Sequence, residues 1–147
     1  MQMSVYGKII DTCPKDLPTY IKQMEYKQNC MQRVPLKDKT KISLALHQAQ
    51  RYSGNHEELL FRVPTDLYEL IDEFVSQATS ISIPAEEIME NKKTVIFVRK
   101  PSAPDSPYIT ACVDKEGNVT AYRAKNEAVP DNEMEIIREW VVSVDAA

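Results

Sequence analysis

Apolar positions recur along the chain in two periods, and the switches between them mark out the elements. Leu17, Tyr20, Ile21, Met24 and Met31 recur at helical spacing behind Asp16, an N-cap type, and Pro18, which a first turn tolerates; they predict a helix over 17–31. Residues 41–52 read two ways: Ile42, Leu44 and Leu46 alternate as in a strand, while Ile42, Ala45, Leu46 and Ala49 share a helical face. Their Ala, Leu and Gln content, with Gly54 just beyond, favours helix. Residues 4–10 read as a short first strand, and 58–63 as an extended run ended by Pro64. The clearest stripe is Leu67, Leu70, Ile71, Phe74, Val75 and Ala78, a core-facing helix that Thr65 can cap and whose positive end Asp66 and Glu69 suit. Pro84 opens a short helix to about Asn91. Residues 94–100, 108–114 and 119–124 then read as strands, the first apolar on both faces and therefore covered, the last two joined by a turn in which Gly117 takes positive φ. Met134, Ile137, Trp140, Val141 and Val144 define a final helix after Pro130. These elements predict one α+β domain over 1–147, a three-stranded antiparallel meander packed with several helices.

Composition refines this picture modestly. The chain has 147 residues, is 43% hydrophobic and 27% charged, and has only 3 Gly, so Gly-rich phosphate loops are not expected. The longest strong apolar run, 95–98, is far short of a membrane span, and the first residues lack a signal-peptide core; a cytoplasmic protein is expected. Charge is unevenly placed. Residues 1–60 carry 9 Lys/Arg and 6 Asp/Glu; residues 61–147 carry 9 and 16. The total of −4 supplies no general field for nucleic acid, so such a role would fall to Lys37, Lys39, Lys41 and Arg51 in the basic, mainly helical half. The acidic half offers Glu86, Glu87 and Glu90 on the short helix, and Asp131, Glu133 and Glu135 at the start of the last one.

Reactive residues are few. Cys13, Cys30 and Cys112 are odd in number and none forms a CxxC pair, which fits a reducing compartment without a disulfide framework. A metal site from Cys13, Cys30, His47 and His56 would need spacings unlike those of zinc fingers, and no metal or other cofactor is expected. Glu86 and Glu90, at i and i+4, could form a paired-acid site, though an exposed acidic face explains them as well.

From Phe61 onward the order of features resembles the PcfJ-like proteins of conjugative plasmids and phages. The resemblance rests on Arg62-Val63-Pro64, the helix after it, Thr94-Val95-Ile96-Phe97-Val98-Arg99-Lys100, Pro107-Tyr108-Ile109-Thr110, Lys125-Asn126 after the third strand, and Arg138-Glu139-Trp140. It covers about 80 residues. Where that family carries a His-Cys-Val-Gly motif, this chain has Thr79-Ser80-Ile81-Ser82; Cys112 stands where the family tends to Glu, and Ala121 lies near a position where it tends to Gln. The resemblance implies a mobile-element protein with shared architecture and few retained reactive groups.

The leading expectation is a small non-enzymatic accessory protein that binds a host protein, with a defence nuclease as the model partner in the manner of an anti-CRISPR inhibitor. Its two acidic sets, Glu86, Glu87 and Glu90 and Asp131, Glu133 and Glu135, would compete for a nucleic-acid groove. No membrane or small-molecule partner is expected. The alternatives are a nucleic-acid-acting enzyme using Cys112, Asn126 and a histidine, and a direct nucleic-acid binder through the basic half.

Overall fold

The apolar run over 95–98 forms the middle of a sheet. In the computed structural model, which describes residues 20–77, 83–124 and 127–147, five strands pair antiparallel in chain order: β1 (Gly54–His56), β2 (Leu59–Arg62), β3 (Lys93–Arg99), β4 (Ile109–Asp114) and β5 (Val119–Arg123). The meander thus has five strands where the sequence predicts three. Of the two additional strands, β2 falls within the extended run expected over 58–63, whereas β1, three residues long, is too short for alternation to register. Their turn, Glu57-Glu58, lacks glycine, although Glu57 takes a left-handed φ of 55°.

Five helices surround the sheet among the described residues: α1 (Tyr20–Arg33), α2 (Leu36–Gln48), α3 (Leu67–Ser76), α4 (Ala85–Met89) and α5 (Asp131–Asp145). Helix α2 starts earlier than the predicted 41, directly after Pro35, and residues Ala49–Tyr52 continue it as a 3-10 turn. Gly54 begins β1 and does not cap a helix. The N-cap of α3 is Asp66, not Thr65: its carboxylate accepts the Glu69 N–H at 2.9 Å, while Glu69 Oε2 accepts the Thr65 N–H. The predicted strand over 4–10, the helix start at Leu17, and Cys13, Ala78 and Lys125-Asn126 lie outside the described residues.

Register assigns the two faces of the sheet. Phe61 pairs with Val98, Val98 with Ile109, and Ile96 with Ala111, so these side chains share one face. Helix α5 covers it: the Trp140 ring stacks on Phe61 at 5.3 Å and the Trp140 Nε1–H donates to the Tyr52 carbonyl at 2.8 Å. Both ends of α5 are tied by phenols, Tyr108 to Glu133 and Tyr52 to Asp145, each at 2.5 Å. The opposite face carries Val95, Phe97, Arg99, Thr110 and Tyr122 and is covered by α3, whose Phe74 meets Tyr122 edge to face. Helix α1 packs on α3, and α2 packs on α4 and α3. No helix among the described residues is long and apolar enough to cross a membrane.

Candidate binding surface

The residues singled out in the sequence do not assemble into one site. Glu87 and Glu90 stand beside the start of β3, where Lys93 and Lys92 pair with them at 3.5 and 2.6 Å; Glu86 is exposed. The Lys92 ammonium holds the Glu90 carboxyl below the usual range. Asp131, Glu133 and Glu135 lie beyond the start of β4, where Tyr108 donates to Glu133. β3 begins where β4 ends, so the length of β4, about 20 Å, separates the two acidic sets. Among the six carboxylates, Glu86, Asp131 and Glu135 have no ion pair or side-chain hydrogen bond among the described residues.

The basic set divides as well. Lys37 and Lys41 share a face of α2, whereas Lys39 points half a turn away and is half-buried. Arg51 sits beyond the far end of α2, with its guanidinium 4.5 Å from the Tyr52 ring centroid and bonded to the Gln48 carbonyl and Tyr52 hydroxyl.

Cys112 lies on the α3 face of the sheet, opposite Val95 and Thr120. Burial pushes its thiol up to about 11, the reverse of what a nucleophile at neutral pH requires. His56 occupies the other face, stacked on Trp140, so it does not serve Cys112 as a base. Burial also raises the Cys30 thiol. Among the described residues no three His, Cys, Asp or Glu side chains gather as metal ligands.

Two arrangements escaped the sequence reading. The first is a buried ion pair: Arg99 grips Glu73 bidentately at 2.6 and 2.7 Å, both side chains being 3–4% exposed. Burial leaves the Glu73 carboxyl above the usual glutamate range although Arg99 pulls it down. Arg99 Nε, Gln77 Nε2 and Thr110 Oγ1 are buried around the same α3–sheet interface and find no partner among the described residues.

The second is the outer face of α2. Leu36, Thr40, Leu44 and His47 follow one another at helical spacing and are all exposed, with Leu36 at 78% and Leu44 at 58%. Lys37, Lys41 and Gln48 flank this ridge on one side, while Ile42, Ala45 and Leu46 bury the opposite face. The other exposed large apolar side chains among the described residues, Ile21, Tyr68 and Val142, occur one to a helix. The signal was present in the sequence, but starting the helix at 41 left Leu36 outside it; Pro35 marks the true entry.

Comparison with known proteins extends the resemblance seen in the second half. No curated protein and no solved structure matches the chain. The family model for PcfJ-like proteins matches residues 7–137, thus both the helical half and the sheet. The chain belongs to the PcfJ-like protein family.

Proposed function

We propose that this PcfJ-like protein is a non-enzymatic accessory protein of a phage or mobile element, which acts by docking the outer face of α2 on a host protein. The observation that carries the reading is the pair of exposed leucines, Leu36 and Leu44, on one ridge bordered by Lys37 and Lys41. A helix that leaves two leucines in water on a face aligned with cations suits a partner with an apolar recess rimmed by carboxylates. Nucleic acid fits the ridge less well, because leucines gain nothing from phosphates. The acidic sets support docking more weakly than α2, since three of their six carboxylates are already engaged within the chain. A defence nuclease is the first partner class to test, as a protein whose inhibition would serve a mobile element.

The test is comparative affinity capture from host lysate with quantitative mass spectrometry. The wild type is set against Leu36→Asp/Leu44→Asp, Lys37→Glu/Lys41→Glu, and Glu86→Lys/Asp131→Lys/Glu135→Lys. A specific protein retained by the wild type should be lost with the leucine variant and weakened, with less salt sensitivity, by the lysine variant; the acidic variant should retain it. Capture unchanged by the leucine variant, or lost only in the acidic one, overturns the assignment to α2.

A further inference from the structure

We propose that the cleft at the end of the sheet where β3 begins and β4 ends binds a nucleoside phosphate. The cleft has a volume of about 550 Å³ and opens between the 3-10 turn, the turn from α4 into β3, and the β4–β5 hairpin; small-ligand sites typically measure roughly 300–1,000 Å³. Its wall is polar and charged rather than greasy, so the occupant must be charged too. Four cations reach it from these three elements: Arg51, Lys92, Lys93 and Lys115. Two of the carboxylates that line it are committed to the fold. Asp114 accepts from the Glu116 and Asn118 N–H groups and the Asn118 amide at 3.0, 2.9 and 3.1 Å, and Asp145 accepts the Tyr52 hydroxyl. The third, Glu116, is exposed on the hairpin.

A second recess, of about 130 Å³, adjoins the first and shares Arg51, Asn91, Lys93 and Thr94 with it. Its wall is again mostly polar: Gln48 adds an amide at its edge, and Leu46 of α2 and Ile88 of α4, both core residues, show it only a narrow apolar strip. A small alcove lined by hydrogen-bonding groups beside a cationic rim matches a ligand with one heterocyclic, hydrogen-bonding end and one anionic end. The base would enter the alcove, where Gln48, Asn91 and Thr94 offer amide and hydroxyl groups, and the phosphates would face the cations. Arg51 is preset for this, its guanidinium held 4.5 Å from the Tyr52 ring centroid and bonded to the Gln48 carbonyl.

Lys92 and Lys93 are paired with Glu90 and Glu87, but all four side chains are at least 41% exposed. Such pairs are weak, and a multiply charged phosphate displaces a single carboxylate. Glu87 and Glu90, read in the sequence as docking groups, thereby become internal competitors for the phosphate. No contiguous motif announces a small ligand, because the cleft draws on separate turns of the chain.

The experiment is isothermal titration calorimetry of the full chain with the four common nucleoside triphosphates, adenosine and inorganic tripolyphosphate, thermal melts confirming that each variant folds. At least one nucleotide should bind more tightly than either adenosine or tripolyphosphate. Arg51→Ala and Lys93→Ala should each weaken it about tenfold, and Glu87→Gln/Glu90→Gln should tighten it. Absence of binding at millimolar nucleotide, affinity unchanged in both cation variants, or tripolyphosphate binding as tightly as every nucleotide overturns the proposal.

Discussion

The two faces of the sheet are closed by different means. On the α5 face the buried sheet positions are apolar: Ile96 and Val98 of β3 and Ile109, Ala111 and Val113 of β4 are all at most 2% exposed. Closure there depends on shape, with Trp140 lying over Phe61 and so close to Gly54 that an added Cβ would stand 2.8 Å from the ring. On the α3 face Phe97 shares the interface with Arg99, Glu73, Gln77 and Thr110, all buried. Closure there depends on one ion pair and tolerates three donors without partners. An apolar interface accepts any side chain of suitable volume, whereas a charged one accepts only its partner. The α3 face is therefore the more specific and the more fragile of the two.

The largest effect should come from breaking the pair. Glu73→Ala leaves Arg99 charged and buried without a counter-ion, so stability in urea unfolding should fall by about 3–5 kcal/mol. Glu73→Leu/Arg99→Met removes both charges at similar volume and should recover most of that loss or exceed the wild type. Thr110→Val deletes an unpaired buried hydroxyl and should be neutral or stabilising. A loss below about 1 kcal/mol for Glu73→Ala would show that the α3 face is held by packing, like its counterpart.

The corresponding break on the α5 face is steric. Gly54→Ala places a methyl against Trp140 Cη2 and Cζ2, at 2.8 and 2.9 Å, while the ring is pinned by Phe61 and by its bond to the Tyr52 carbonyl. Overpacking of this kind costs about 1–3 kcal/mol. Trp140→Leu in the same chain relieves the clash, so the double variant should lose less than the sum of the single ones. Additive losses would mean that Gly54 and Trp140 do not meet.

Apolar burial was legible in the sequence on both faces. The stripe of α3, the run over 95–98 and the spacing of Ile137, Trp140 and Val141 carry their burial in their own periodicity. The ion pair could not be read that way. Glu73 and Gln77 lie at the edge of the α3 stripe, where charge normally faces water, and only the β3 register brings Arg99 beneath them. Of the β1–β2 hairpin the sequence shows the extended run that holds β2, but neither the three-residue β1 nor the Glu57-Glu58 turn announces its partner. Of the sites, the α2 ridge needed the correct helix start, and the cleft needed three turns brought together by folding.

The smallest effect concerns Cys112, which lies in the α3-facing layer two residues from Thr110. Burial raises its thiol to about 11, from an ordinary value of 9.0. A folded-state value above the unfolded one means that the neutral thiol favours the folded chain. Its contribution is whole below about pH 9 and is lost as pH climbs from there through 11. Above pH 9 the wild type should therefore lose stability faster than Cys112→Ala, and the difference should vanish at pH 8. In a Cys13→Ser/Cys30→Ser chain, iodoacetamide labelling at pH 8 should run about a hundredfold slower folded than in urea, since each unit of pKa removes tenfold of thiolate. Its rate should keep rising toward pH 11. An inflection near 9 would open the α3 face to water at Cys112, and one near 7 would turn the thiol into a nucleophile and revive the enzyme alternative.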